Sequence, residues 1–353
     1  MKVLFVHVIP DAETGNPFVT TLADEMRRSG CEVDIGVSGF WNDENRYDIV
    51  HFHWPKEIFG NWRAIGEEEL SAFKAKVSGL KAMGTKIFYT RHNSEQHYEP
   101  DALGLNRLYR MIEDMADGIV HMGDFSRREV VARAGDAIGR RDFVIPHHVY
   151  DAIPRAQSRE MARRRFAIRD GECAVLSFGV FRAHEERTMV WDACRAFKTE
   201  NVRLLAPRFF SRYFWKGSIV PTLREWAYRR SFKGVKAVLG GPRVPASDIP
   251  DFFTAADVVL IQRRHILNSG NVPMAFYFGK VAVGPDVGNV GEWLRATGNP
   301  VFDPDRPESV AAALEEGLRL AEGGLGKANR AYADSELSSA LAAKRYLEAY
   351  VSV

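Results

Sequence analysis

The chain has 353 residues, 46 % of them hydrophobic and 27 % charged, with a formal net charge of +2; it is too long for one typical domain and ordinary in composition for a globular protein. No run of eighteen apolar residues occurs, so no membrane-spanning helix is expected. Three widely spaced cysteines, Cys31, Cys173 and Cys194, lack metal-ligand spacing and suit a reducing cytoplasm.

The opening MKVLFVHVIP lacks a small-residue cleavage site and predicts a core strand over Met1–Val8, not a signal peptide. A polar loop from Ile9 to Pro17 follows, holding Asp11, Glu13, Gly15 and Asn16. Phe18, Leu22 and Met26 then sit at helical spacing up to Gly30, and Cys31–Ile35 begins the next strand. This is a βαβ start whose first loop lies where open α/β sheets place ligands. The loop has no G-x-G-x-x-G, so a nicotinamide or flavin fingerprint is absent. Further strands are predicted at Asp48–Pro55, at Lys86–Thr90 running into Arg91-His92-Asn93, at Gly118–His121 and at Phe143–His148. Helices are predicted near Glu67–Met83 and Gly104–Met115. The alternation predicts a doubly wound parallel sheet. Of ten histidines, seven (His7, His51, His53, His92, His121, His147 and His148) fall at or near strand carboxyl ends, the edge where α/β clefts form. A histidine alone reads as structural. With no His-x-x-x-His helix pair, a metal cluster is not expected.

Residues 151–172 turn polar and Arg-rich and read as an interdomain connection. A second α/β series runs through Cys173–Gly179, a helix at Glu186–Phe197, and strands at Val202–Pro207, Val235–Leu239 and Ala256–Gln262. The final helices are predicted at Pro307–Glu322 and Leu337–Val353. This half is net basic where the first 150 residues are net acidic, as suits an anionic ligand, a membrane surface or simply a solvated face. Pro207–Lys233 interrupts the pattern: eight aromatic residues from Phe209 to Phe232 alternate with seven basic ones from Arg208 to Lys233, and Glu225 is its only acid. It reads either as core packing under a basic helix face or as a surface for anionic lipid headgroups. No nucleic-acid module accompanies it, and nucleic acid is not expected as a partner.

Leu267–Leu294 carries the most information. Asn268-Ser269-Gly270-Asn271 is a small-residue turn before an apolar helix that stops at Gly279-Lys280. Val281-Ala282-Val283 is a short strand, and a second glycine turn, Gly284–Asn289, leads to Glu292, predicted to open the next helix. Two such turns before helix N-termini make adjacent anion sites.

The order SG, helix, GK, strand, G-x-D-x-G-x-x-x-E resembles the donor-site core of GT-B glycosyltransferases of the family-4 type. Asp48–Trp54, Thr90–Asn93, Val144–His148, Phe178-Gly179 and Ala255–Val259 are similar to that family in the same order. The resemblance covers essentially the whole chain and implies an α/β protein of two Rossmann-like doubly wound domains facing a cleft. Residues 1–150 would be the acceptor side, 151–172 a linker, 173–335 the nucleotide-sugar domain, and 336–353 a helix packing back toward the first domain. It implies transfer of a hexose from a UDP- or GDP-sugar to a glycan or lipid-linked glycan, as in polysaccharide biosynthesis. The transfer would need neither metal nor cofactor, and would take place in the cytoplasm, at the inner face of the membrane in the lipid-linked case. His92 matches the family histidine that touches donor or acceptor; Asp11, Glu13 and His92 are the candidates for a base. The family's paired glutamates fall at Ile266 and Met274, and its Arg/Lys pair falls at Val180 and Glu185. Arg182, Arg187 and Arg263 are the candidate substitutes toward the diphosphate, with Ser269, Gly270, Asn271 and Glu292; Gly15 and Asn16 are counted with them as donor contacts. Two alternatives share the architecture: a binding protein that has lost catalysis, and a nucleotide-sugar epimerase.

Overall fold

A computed structural model describes residues 1–8, 16–60, 65–93, 102–134, 141–155, 158–196, 201–211, 214, 221–231 and 234–353. The chain divides into two compact units. One comprises Met1–Tyr150 with Leu337–Val353, and the other comprises Asp151–Glu336.

The first unit is built on β1 (Lys2–Val6), β2 (Glu32–Ile35), β3 (Ile49–Phe52), β4 (Lys86–Arg91), β5 (Gly118–His121) and β6 (Arg141–Val144). They form one parallel sheet in the order β2-β1-β3-β4-β5-β6. Its central strands are mostly apolar and buried because helices cover both faces; all four residues of β3, His51 among them, are buried. The helix Phe18–Arg28 turns Phe18, Val19, Leu22, Ala23 and Met26 inward. The helix Glu67–Ala82 starts where Glu69 reaches back to accept the Gly66 backbone N–H at 2.9 Å, and it buries Leu70, Phe73, Val77 and Leu80. The last helix, Ser339–Val351, is capped by the Ser338 hydroxyl. Its Ala342, Ala343, Tyr346 and Tyr350 share a core with Phe18 and Phe88.

The second unit is built on β7 (Cys173–Leu176), β8 (Val202–Ala206), β9 (Lys236–Leu239), β10 (Val258–Leu260), β11 (Val281–Pro285) and β12 (Val301–Phe302). It too is parallel, in the order β12-β11-β10-β7-β8-β9. Both sheets are doubly wound, as expected. The two-residue β12 and the helix Leu325–Glu336 were not anticipated. Nor is 151–172 a bare connection: it belongs to the second unit and contains the helix Arg159–Arg165. Arg159 and Arg163 of that helix both pair with Asp257, the residue before β10.

The aromatic segment is part buried and part exposed. Phe209, Phe210 and Phe214 belong to the core, whereas Leu223 is 63 % and Trp226 60 % exposed on the helix Pro221–Ser231. Arg229 pairs with Glu225 and lies over the Phe210 ring at 4.5 Å. Arg212, Tyr213, Trp215, Lys216, Phe232 and Lys233 lie outside the described residues. No helix among the described residues is long and apolar enough to cross a membrane.

Strand order reverses once in each sheet, at β1/β3 and at β7/β10. A doubly wound sheet opens a crevice beyond the carboxyl ends of its strands at such a point.

Candidate functional site

In the second unit the chain leaves β7 as Ser177-Phe178-Gly179 and leaves β10 as Ile261-Gln262-Arg263. Gly179 has to be small. A Cβ there would lie 2.6 Å from Gln262 Nε2 and 3.1 Å from Asn271 Nδ2, so two side-chain amides converge on its bare backbone. Gln262 is 1 % exposed, and its Nε2 has no partner among the described residues; neither has the buried hydroxyl of Ser177. Buried donors are nearly always satisfied in folded proteins, so two orphans beside a switch point mark a place for a ligand's acceptors.

Arg263 is buried and donates from Nη1 to both oxygens of Glu186, at 2.6 and 2.8 Å. Glu186 in turn accepts the Arg182 backbone N–H at 2.7 Å. Arg182 has an exposed side chain and stands at the mouth of the same turn. Arg187 does not serve the site. Its guanidinium is buried and donates to the carbonyls of Phe209 (3.1 Å), Ala183 (2.7 Å) and Phe181 (3.0 Å), so the diphosphate role expected for it is replaced by a structural one. A cavity of about 320 Å³ adjoins this turn, lined by His184, Glu185, Met189, Arg264 and Pro304 among others.

The two glycine turns meet. Asn289 donates its backbone N–H to Leu267 O at 3.0 Å and its side-chain N–H to Asn268 Oδ1 at 2.7 Å. Gly288 takes φ +58°, and a Cβ there would come within 2.5 Å of the Ile266 carbonyl, so only glycine permits the approach. Ser269, Gly270 and Asn271 are all partly exposed, but Ser269 Oγ accepts the Asn271 N–H at 3.3 Å. Among the described residues, the N–H groups of Ser269 and Gly270 make no backbone hydrogen bond. The helix they feed, Asn271–Tyr277, has seven residues, and its dipole is correspondingly small. Glu292 does not open a helix. The helix runs Gly288–Ala296, and Glu292 sits half-buried in its second turn, because the left-handed Gly288 starts the helix four residues early.

In the first unit, Asp11, Glu13 and Gly15 lie outside the described residues. Asn16 is committed locally: its Oδ1 accepts the Phe18 N–H at 3.1 Å and the Tyr150 hydroxyl at 2.7 Å. That oxygen is therefore not available to a donor, which corrects half of the expectation for Asn16.

All seven strand-end histidines are buried. His51 Nδ1 is 2.5 Å from the Tyr350 hydroxyl and its Nε2 is 2.8 Å from Thr90 Oγ1. His121 contacts Asp142 at 2.9 Å, and His147 and His148 donate to the carbonyls of His148 and Val149, both at 2.7 Å. These four are structural. His53 and His92 differ: His53 Nδ1 lies 3.1 Å from His92 Nε2, and Trp54 stacks on His92 with ring centroids 4.2 Å apart. One imidazole must donate and the other accept. His53 Nε2 has no partner among the described residues, nor has Nε2 of His7, whose Nδ1 contacts Glu57 at 2.7 Å. Burial pushes His51 and His147 down to about 3, and drives His53 and His92 well below the ordinary histidine value, with neighbouring histidines adding to the shift. All four are neutral at pH 7. His92 is thus a weak base, better suited to giving or taking a hydrogen bond than to holding a proton. No group of three or more histidine, cysteine, aspartate or glutamate residues able to hold a metal ion occurs among the described residues.

No family model and no curated protein matches the sequence. Solved structures match the fold along its whole length. Sucrose-phosphate synthase from Thermosynechococcus elongatus gives a TM-score of 0.74 at 14 % identity, covering 99 % of this chain and 98 % of that one. HepE from Anabaena, solved in complex with UDP-glucose, gives 0.70 at 14 % identity with both chains fully covered. A protein described as a UDP-N-acetylglucosamine 2-epimerase from Listeria monocytogenes gives 0.60 at 16 % identity, covering 99 % and 96 %. The fold is thus the GT-B fold of two doubly wound parallel sheets with flanking helices; identity this low speaks to fold alone.

Proposed function

We propose that the chain is a glycosyltransferase that moves a hexose from a UDP- or GDP-sugar to a glycan or lipid-linked glycan, without metal or cofactor. The observation that carries the reading is the switch point at β7/β10. There the amides of Gln262 and Asn271 pack against the bare backbone of Gly179, Gln262 and Ser177 have buried donors with no partner among the described residues, and Glu186 holds Arg263 in place. Such a crevice suits an acceptor-rich, negatively charged ligand. The fold supports it, since HepE, a match over its full length, was solved in complex with UDP-glucose.

In the reaction, the bond between the anomeric carbon and the β-phosphate oxygen breaks, and a bond to the acceptor oxygen forms. The acceptor proton leaves to the departing phosphate or to a base. Negative charge builds on the β-phosphate, and Arg263 with the Ser269 and Gly270 N–H groups would stabilise it. His92 would orient a hydroxyl through a neutral ring. The lipid-linked acceptor and a position at the inner face of the membrane rest on exposed Leu223 and Trp226, with Arg230 over the Trp226 ring at 5.4 Å.

The test is incubation of the purified protein with UDP-, GDP- and ADP-sugars, followed by NMR. Binding of one donor with slow release of its nucleoside diphosphate is expected. Binding without turnover would point to a protein that has lost catalysis, a reading favoured by buried Met274 at a family glutamate position. Interconversion of the sugar would mean an epimerase, and no binding at all would overturn the donor site.

A further inference from the structure

In the second sheet β7 lies between β10 and β8, and each neighbour is followed by an arginine. Arg263 comes three residues after β10, and Arg208 two residues after β8. Arg263 has its carboxylate. Arg208 is half-buried, and neither a hydrogen bond nor an ion pair engages it among the described residues; its Nε is completely buried and without a partner. Burial disfavours its charge, and the nearby charge of Arg263 disfavours it further, so its pKa is lowered. Glu186, the carboxylate paired with Arg263, already receives backbone N–H groups from Arg182 and Ala183. Beside the same strand end, Gln262 holds its Nε2 buried and unanswered.

Two desolvated cations, one carboxylate and an orphaned amide leave a positive charge and at least two donors without a partner. A cation out of water is costly unless something pairs with it. An anion with several oxygens would answer all of these groups at once.

The geometry points to a phosphate seat at the carboxyl end of β7, with Arg208 and Arg263 as its binding cations and Gln262 Nε2 as a donor beside them. Resting on the donor reading above, the seat receives the β-phosphate of the nucleotide sugar. It also supplies the charge that Glu185 lacks at the position where the resemblance places a basic residue. Arg208 then belongs to this crevice and not to a membrane-facing surface.

Inorganic pyrophosphate is the probe, used with the full chain. Pyrophosphate should raise the Tm of the parent, and the rise should shrink with added salt. Without pyrophosphate, Arg208→Met should be at least as stable as the parent, because it removes a half-buried charge that has no partner. It should bind pyrophosphate at least tenfold more weakly, and its Tm should no longer respond. Arg208→Lys, which keeps the charge and loses the planar fork, should recover part of the affinity; it also carries the comparison if Arg208→Met does not fold. Equal pyrophosphate affinity in the parent and Arg208→Met overturns the seat, as does a parent that fails to respond at low salt. Titration with UDP-glucose and GDP-mannose separates the two readings. A nucleotide sugar bound equally by parent and Arg208→Met removes the seat and leaves the transferase. Pyrophosphate binding that depends on Arg208, in a parent that binds no nucleotide sugar, supports the seat and removes the transferase.

Discussion

Arg263 Nη1 lies 2.6 and 2.8 Å from the two carboxylate oxygens of Glu186, and both side chains are buried. Glu186→Ala would leave the guanidinium without its counter-charge and the Arg182 N–H without its acceptor. A broken buried pair costs about 3–5 kcal/mol. Urea denaturation should show that loss. Replacing both residues by Met should restore much of the stability while abolishing nucleotide binding; a Glu186→Ala variant as stable as the parent would show the pair to be energetically idle.

Gly179→Ala tests the close approach over β7. The added methyl would sit 2.6 Å from Gln262 Nε2, so the amide must swing aside. The far end of a side chain can yield, and the variant should fold. Affinity for the donor should fall about tenfold, equivalent to about 1.4 kcal/mol. Calorimetric titration with the preferred nucleotide sugar reads this directly, and unchanged affinity would remove Gln262 from the site.

His92→Ala should leave nucleotide affinity nearly intact and lower turnover at least tenfold, about 1.4 kcal/mol of barrier. Because burial holds its pKa well below the ordinary value, His92 should not produce an acid limb near pH 6.5 in the pH–rate profile. A limb there that vanished in His92→Gln would contradict the neutral-ring assignment. Wild-type turnover in His92→Ala would leave the residue as core packing.

The buried histidines also set a pH dependence of stability. His51 and His147 titrate near 6.5 when unfolded and at about 3 when folded. Above pH 6.5 both states are neutral and nothing changes. Below it the unfolded chain takes up protons that the folded chain refuses, so stability falls by about 1.4 kcal/mol per pH unit for each histidine until the folded value is reached. Urea midpoints measured from pH 7 to pH 5 should drop accordingly, and His147→Gln should flatten the slope. A level profile in the parent would refute the assignment.

Much of the architecture is written locally. Runs such as Val3–Val6 and Ile49–Phe52 announce buried parallel strands, and the histidines at their ends announce an edge. Val301–Phe302 is too short to show a period. The helix Leu325–Glu336 buries Gly326, Asn329 and Ala333 where an apolar stripe would be expected; Asn329 is held by Asn299 and by the Lys280 carbonyl. The site was harder to read. Arg187 and Arg263 look alike in sequence, and the carbonyls of Phe181 and Phe209 decide that one is structural. Gln262 and Arg208 carried a usable signal, each a polar residue just beyond a strand adjacent to or at the switch point. The apolar context of Gln262 and the aromatic context of Arg208 masked it.

Tyr346 lies 3.1 Å from Thr90 Oγ1 and Tyr350 lies 2.5 Å from His51, so the first unit is held together by residues that a ribosome makes only after the whole of the second. Asp151–Glu336 is one unbroken stretch and has all its parts before Ser339 is joined. The half translated first is therefore the half completed second. Until the helix Ser339–Val351 emerges, Phe18, Phe88 and Val120 lack one wall of their core. A chain truncated before Ser339 would carry a finished second unit and a first unit with that apolar surface open, the kind of species that chaperones hold and that aggregates when they do not.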